Sequence, residues 1–135
     1  MTHEVYCSYE LAVSLKAAGF DWECMFYYDK EDAPNGEVWF TNLSVACNHN
    51  GCNNPRICSA PTLAVAAKWL REVKGVALNI IAHDGDEYHY SEVFLSNFQE
   101  RDYKYYEYRE HPLVGSYEEA LSMGLTEMLK LLNDN

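Results

Sequence analysis

The chain has 135 residues, of which 48% are hydrophobic, and its ten basic against twenty-one acidic side chains give a formal charge of −11. That length fits one domain with a core of useful size, and that composition excludes a disordered tail or linker. The charge excludes a protein that holds nucleic acid through phosphate contacts, because such a chain repels the phosphate backbone.

Along the chain, the first expected element is a helix from Ser8 to Ala18. Ser8 can cap its first turn, Leu11, Leu15 and Ala18 form one apolar stripe, and Gly19 can end it with Phe20 folding back onto Leu15. Two aromatic-rich runs follow, Cys24 to Tyr28 and Glu37 to Thr41, around an Asn35-Gly36 turn signal, and these read as paired strands. A second helix is expected from Ala60 to Lys74. Ser59 and Pro61 mark its start, Leu63, Ala66, Ala67, Leu70 and Val73 supply its apolar face, and Gly75 ends it. Val76 to Ala82 and Glu87 to Phe94 read as a hairpin turned at Asp84-Gly85. Tyr103 to Arg109 reads as a fifth strand, with tyrosines on both faces. The last helix is expected from Tyr117 to Leu132. Ser116 and Glu119 have capping-box spacing, and Gly124 costs that helix ~1 kcal/mol relative to alanine unless something packs closely against it.

The expected fold is therefore α+β, a single domain over residues 1–135 in the order α-β-β-α-β-β-β-α. It is a mainly antiparallel sheet of about five strands with three helices packed on one face.

Ser59-Ala60-Pro61-Thr62-Leu63-Ala64-Val65-Ala66 with Lys68-Trp69-Leu70-Arg71-Glu72, Leu15-Lys16-Ala17-Ala18-Gly19-Phe20, and the closing Tyr117 to Leu121 together form a pattern. It resembles a family of short uncharacterised proteins from prophages and mobile elements of gut Bacteroidetes. The resemblance implies an accessory protein of such an element and carries over no catalytic or ligand-holding residue.

The densest set of chemically active side chains is the loop Cys47 to Cys58, where Cys47, His49, Cys52 and Cys58 supply three thiols and an imidazole. Zinc takes four such donors in a tetrahedron, which makes these four the candidate metal ligands. The loop has no Cys-x-x-Cys pair, so it does not spell out a zinc site, and no cofactor is assigned. With no secretory leader recognisable at Met1 to Glu4, the expected compartment is the reducing cytoplasm, where the five cysteines are thiols and Cys7 and Cys24 pack as small hydrophobes. His83, Asp84, Asp86, Glu87 and His89 also gather donors, yet a hairpin turn accounts for all of them except the histidines. Asp29 to Asp32 reads as a solvated acidic loop, and His3 and His111 as surface residues.

No phosphate-cradling glycine loop, nucleophile elbow or zinc-protease helix is present, so no catalytic residue is assigned. The best-fitting expectation is a non-catalytic module that binds a protein partner, with no direct contact to nucleic acid or membrane. The alternatives are an acidic mimic of nucleic acid that occupies a DNA-binding protein, a small zinc-stabilised domain built on the Cys47–Cys58 loop, and an enzyme of unknown type.

Overall fold

The structure, a computed structural model, describes residues 5–31, 39–40, 46–95 and 111–134, with side chains described at all of these except 39–40. The described chain is mixed α and β. Its elements run α1 (Tyr9–Ala17), β1 (Phe26–Asp29), β2 (Trp39–Phe40), β3 (Ile57–Ser59), α2 (Leu63–Trp69), β4 (Val76–His83), β5 (Glu87–Phe94) and α3 (Tyr117–Asn133). It divides into two compact units, residues 1–62 and 63–135.

The first unit is built on an antiparallel sheet in the order β2-β1-β3. Tyr27 lies opposite Trp39 on one side and Ser59 on the other, and Tyr28 lies opposite Cys58. Before β1, Cys24 and Cys47 form an isolated antiparallel bridge. The expected first helix forms almost to its forecast ends. Ser8 Oγ accepts the Leu11 amide at 3.2 Å, which satisfies one of the orphan donors of the first turn. At the other end Gly19 takes φ +96°, the Phe20 amide donates to the Leu15 carbonyl at 2.9 Å and the Gly19 amide to Lys16 at 3.1 Å. That is a Schellman closure, and it buries Phe20 together with Leu15. The unit's core gathers Ala12, Tyr28, Cys58 and Ala60, with Tyr9 and Phe26 packed against them. Tyr28 keeps its polar end satisfied by donating its hydroxyl to the Cys7 carbonyl at 2.7 Å.

The second unit is built on the β4–β5 hairpin, whose register runs from Val76↔Phe94 to His83↔Glu87. Gly85 and Asp86 both take positive φ in the turn, where aspartate is tolerated and glycine costs nothing. Because strand side chains alternate, Leu78, Ile80, Tyr90 and Glu92 share one face, and Asn79, Ile81, Ser91 and Val93 share the other. α3 packs on the first face, bringing Gly124 onto Tyr90 and Leu78. Ser116 Oγ accepts the Glu119 amide at 3.1 Å, so the forecast cap of α3 is present. The helix continued from α2 ends in a π-helical turn, Leu70–Lys74, closed by Gly75 at φ +77°. Lys74 Nζ lies 5.6 Å from the ring centre of buried Trp69, which holds the last turn's charge over an aromatic face.

Several expectations change. The described strands form two separate antiparallel sheets instead of one sheet of about five strands. The helices are divided accordingly, α1 with the first unit and α2 and α3 with the second, so they do not share one face. β3 was not expected; it is a three-residue strand inside the Cys-rich loop, too short to show a period. The second helix starts at Leu63, because Ala60 is drawn into the first sheet, its amide donating to the Phe26 carbonyl at 2.9 Å. The run Tyr103 to Arg109 lies outside the described residues, as does the Asn35-Gly36 turn.

Candidate functional site

The Cys-rich loop is held to the first unit by its own polar side chains. Cys47 pairs with Cys24 through two reciprocal backbone bonds, Cys24 N–H to Cys47 O at 3.0 Å and Cys47 N–H to Cys24 O at 3.1 Å. His49, Asn50 and Gly51 then form a single 3-10 turn. Asn50 works as a clamp: its Nδ2 donates to the Phe20 carbonyl at 2.9 Å, and its Oδ1 accepts the Ser59 amide at 2.9 Å. Lys16 donates to the Ile57 carbonyl at 2.7 Å, tying the far end of the loop to α1. Arg56 reaches Glu31 at 2.9 Å and Asp29 at 3.8 Å, so part of the acidic stretch read as a free loop is a strand end held by a cation.

His49 is the one buried histidine in this loop. Its Nε2 lies 3.0 Å from the Cys24 carbonyl, and a carbonyl only accepts, so Nε2 carries the proton. Burial holds the imidazole below its usual range, opposed in part by that carbonyl bond, and the ring is neutral near pH 7. Nδ1 is then the free acceptor. Cys47 Sγ lies 3.5 Å from Nδ1 and 3.6 Å from Nε2. A sulfur nearly equidistant from both nitrogens is beside the ring and not in line with the Nδ1 lone pair. The Tyr27 ring, 4.8 Å from the imidazole centre, supports the ring from the strand side.

The four sequence-predicted ligands do not converge. Cys47 and His49 touch. Cys52 is exposed, and its thiol turns onto the Asn54 carbonyl at 3.8 Å. Cys58 is buried in the core opposite Tyr28, whereas His49 packs on Tyr27, the neighbouring strand residue, whose side chain faces the other way. Among the described residues no group of three or more His, Cys, Asp or Glu side chains is placed to hold a metal ion. Two of the remaining thiols are core: burial pushes Cys7 up to about 12 and Cys58 up to about 11. Cys24 is only half-buried and sits beside Cys47, a proximity that its distance of 23 positions in sequence conceals.

No family model matches the chain, and no curated protein or solved structure is similar to it. Function must therefore be argued from geometry.

The second unit offers two further groups. His83 Nε2 and His89 Nδ1 meet at 2.5 Å on the exposed end of the hairpin. The hairpin register accounts for this meeting: His83 opposes Glu87 and His89 opposes Ile81, so the two histidines are diagonal neighbours on one face. His111, expected at the surface, is instead nearly enclosed. It stacks on Tyr90 at 3.8 Å and hydrogen-bonds Glu92 at 2.8 Å, with side chains only 10% and 5% exposed. A carboxylate near the end of β5 gives no sequence signal that a histidine 19 positions later will cover it.

The face of the hairpin opposite α3 carries Ile81 and Val93, exposed at 41% and 45%, on either side of Asn79 and Ser91. The outer edge of β4 has no strand beside it among the described residues. Val76 to Ala82 contains no charge. Natural edges of that kind are usually guarded by lysine, proline or a bulge. No helix among the described residues is long and apolar enough to cross a membrane.

Proposed function

We propose that this chain is a non-catalytic protein-binding module that takes an extended segment of a partner protein along the β4 edge. The observation that carries the reading is that edge itself. It is an eight-residue, uncharged-to-apolar strand paired on one side only among the described residues, with Ile81 and Val93 exposed on the adjoining face. An added strand would satisfy the outward amides and carbonyls of β4, and alternate side chains would rest on Ile81, with Val93 extending the apolar surface one strand further in. The charge of −11 favours a partner segment with basic residues and disfavours a second copy of the same chain. The absence of any catalytic motif and the spacing of the loop donors both fit a binding role.

The test is selection from a displayed library of random peptides at physiological ionic strength. Enriched sequences should alternate apolar residues with Lys or Arg. Binding should weaken about tenfold or more in Ile81→Glu or Val93→Glu, the loss expected for a central contact. A library that enriches nothing, or sequences held equally well by both variants, refutes the reading.

A further inference from the structure

We propose that Cys24 and Cys47 are a redox-active thiol pair that closes into a disulfide across the bridge between β1's approach and the Cys-rich loop.

The geometry is set by backbone. Two reciprocal hydrogen bonds, at 3.0 and 3.1 Å, make Cys24 and Cys47 a hydrogen-bonded antiparallel pair. Directly opposed residues of that kind have Cα atoms about 5.5 Å apart and project their side chains to the same side. Disulfides span Cα separations of roughly 4.4–6.8 Å but hold their Cβ atoms about 3.5–4.5 Å apart, against roughly 5.5 Å in a hydrogen-bonded pair, so closure draws the two backbones together by about 1 Å. The two side chains must turn as well. Cys24 Sγ now donates to the Phe26 carbonyl at 3.2 Å, and Cys47 Sγ rests beside the His49 ring. Each is released by rotation about one bond.

The two thiols are unequal in the way a two-step exchange needs. Cys47 is exposed and can meet a solute, whereas Cys24 is half-buried and less open to one. His49 is the proton acceptor at hand, since its Nε2 proton is committed to the Cys24 carbonyl and Nδ1 is left open. The other exposed thiol, Cys52, has the Asn54 carbonyl near its sulfur and no imidazole.

The oxidant is a low-molecular-weight disulfide of the glutathione class. Cys47 gives its proton to His49 Nδ1 and attacks one sulfur of that disulfide, breaking its S–S bond, forming a mixed disulfide and releasing one small thiolate, which takes the proton back from His49 and leaves as a thiol. Cys24 then attacks the Cys47 sulfur, forming the Cys24–Cys47 bond and releasing the second small thiol, which takes the proton Cys24 gives up. Two protein thiols are oxidised, one small disulfide is reduced to two thiols, and the electrons balance. The closed bond consumes the exposed Cys47 thiol, so the pair reports the thiol–disulfide poise of its surroundings.

The experiment treats the full chain with oxidised glutathione and maps the products by peptide mass spectrometry. The expected result is a Cys24–Cys47 linked peptide that disappears on reduction. It should form undiminished in Cys52→Ser, while Cys24→Ser should stop at a Cys47–glutathione mixed disulfide. A Cys47–Cys52 bond in the unmodified chain overturns the proposal. So does a mixed disulfide at Cys47 that persists with Cys24 intact. If Cys24→Ser fails to fold, the Cys52→Ser chain still decides between these outcomes.

Discussion

Replacing Gly124 with alanine sets two effects of known size against each other. Inside a helix alanine is favoured over glycine by about 0.8–1.0 kcal/mol. A Cβ at position 124, however, would lie 3.0 Å from both Cγ and Cδ2 of Tyr90 and 3.2 Å from Cδ2 of Leu78. Optimal carbon separations are about 3.5–4.0 Å, so the methyl group starts roughly 0.5–1 Å inside repulsion. Tyr90 has little room to yield. It is 1% exposed and its ring is stacked on His111, which is fixed in turn by Glu92. Overpacking of such a site costs about 1–3 kcal/mol, which exceeds the helix gain and leaves a net loss of about 1 kcal/mol. For a chain of this length that lowers Tm by roughly 3–5 °C. Urea unfolding followed by circular dichroism and by the fluorescence of the tryptophans measures it. In a Tyr90→Leu background the ring is gone, and the same alanine should become neutral or stabilising, a coupling of about 1–2 kcal/mol. If Gly124→Ala alone raises stability by the full helix gain, α3 does not approach the hairpin at Tyr90, and the assignment of covered and open faces falls with it.

Native-state alkylation should modify Cys47 and Cys52 first and leave Cys7 and Cys58 unmodified until the chain unfolds, because burial keeps the latter two protonated and enclosed; equal labelling of all five would refute the described core. Asn50→Ala removes a donor from Phe20 and an acceptor from Ser59, and should cost about 1–3 kcal/mol in urea unfolding. Asn50→Asp should cost more than alanine near neutral pH, since a carboxylate would face the Phe20 carbonyl. His49 has its affinity for protons lowered in the folded chain, from 6.5 in the unfolded one. Above that value both states hold it neutral. Below it the unfolded state takes the proton first, so stability is lost as pH falls from about 6.5 through the lower folded value. Stability measured from about pH 7 to 5 should decline less steeply in His49→Gln than in the unmodified chain.

The helices were legible because their signals are local. Ser8, Gly19, Ser116 and Gly75 act within one turn of themselves, and α1 and α3 end within a residue or so of where those residues place them. The β4–β5 hairpin was legible for the same reason, since Asp84-Gly85 fixes both the turn and the register. Gly124 was legible in a conditional form: its cost implied a close neighbour, and Tyr90 is that neighbour. What escaped was everything set by pairing at long range. Two sheets and one sheet differ only in which strands meet, and alternation within a strand is silent on that point. β3 is three residues long, and a strand so short is defined by its partner β1 and not by its own composition.

The Cys-rich loop shows how this failure bears on function. Four donors within twelve positions invite a reading in which sequence proximity becomes spatial convergence. Folding separates them instead, because Cys58 joins a strand and is drawn to the core side of Tyr28, while His49 is spent on the Cys24 carbonyl from the Tyr27 side. The same pairing delivers a thiol that the loop does not contain: Cys24 reaches Cys47 through the bridge that anchors the loop. Asn50 and His49 pin the loop onto the carbonyls of Phe20 and Cys24. The chain also sets two opposed cysteines against each other by main-chain bonds, so their meeting needs only side-chain rotation and a small local approach of the two backbones, and substitution of the polar clamp at Asn50 should loosen the loop without abolishing that bridge.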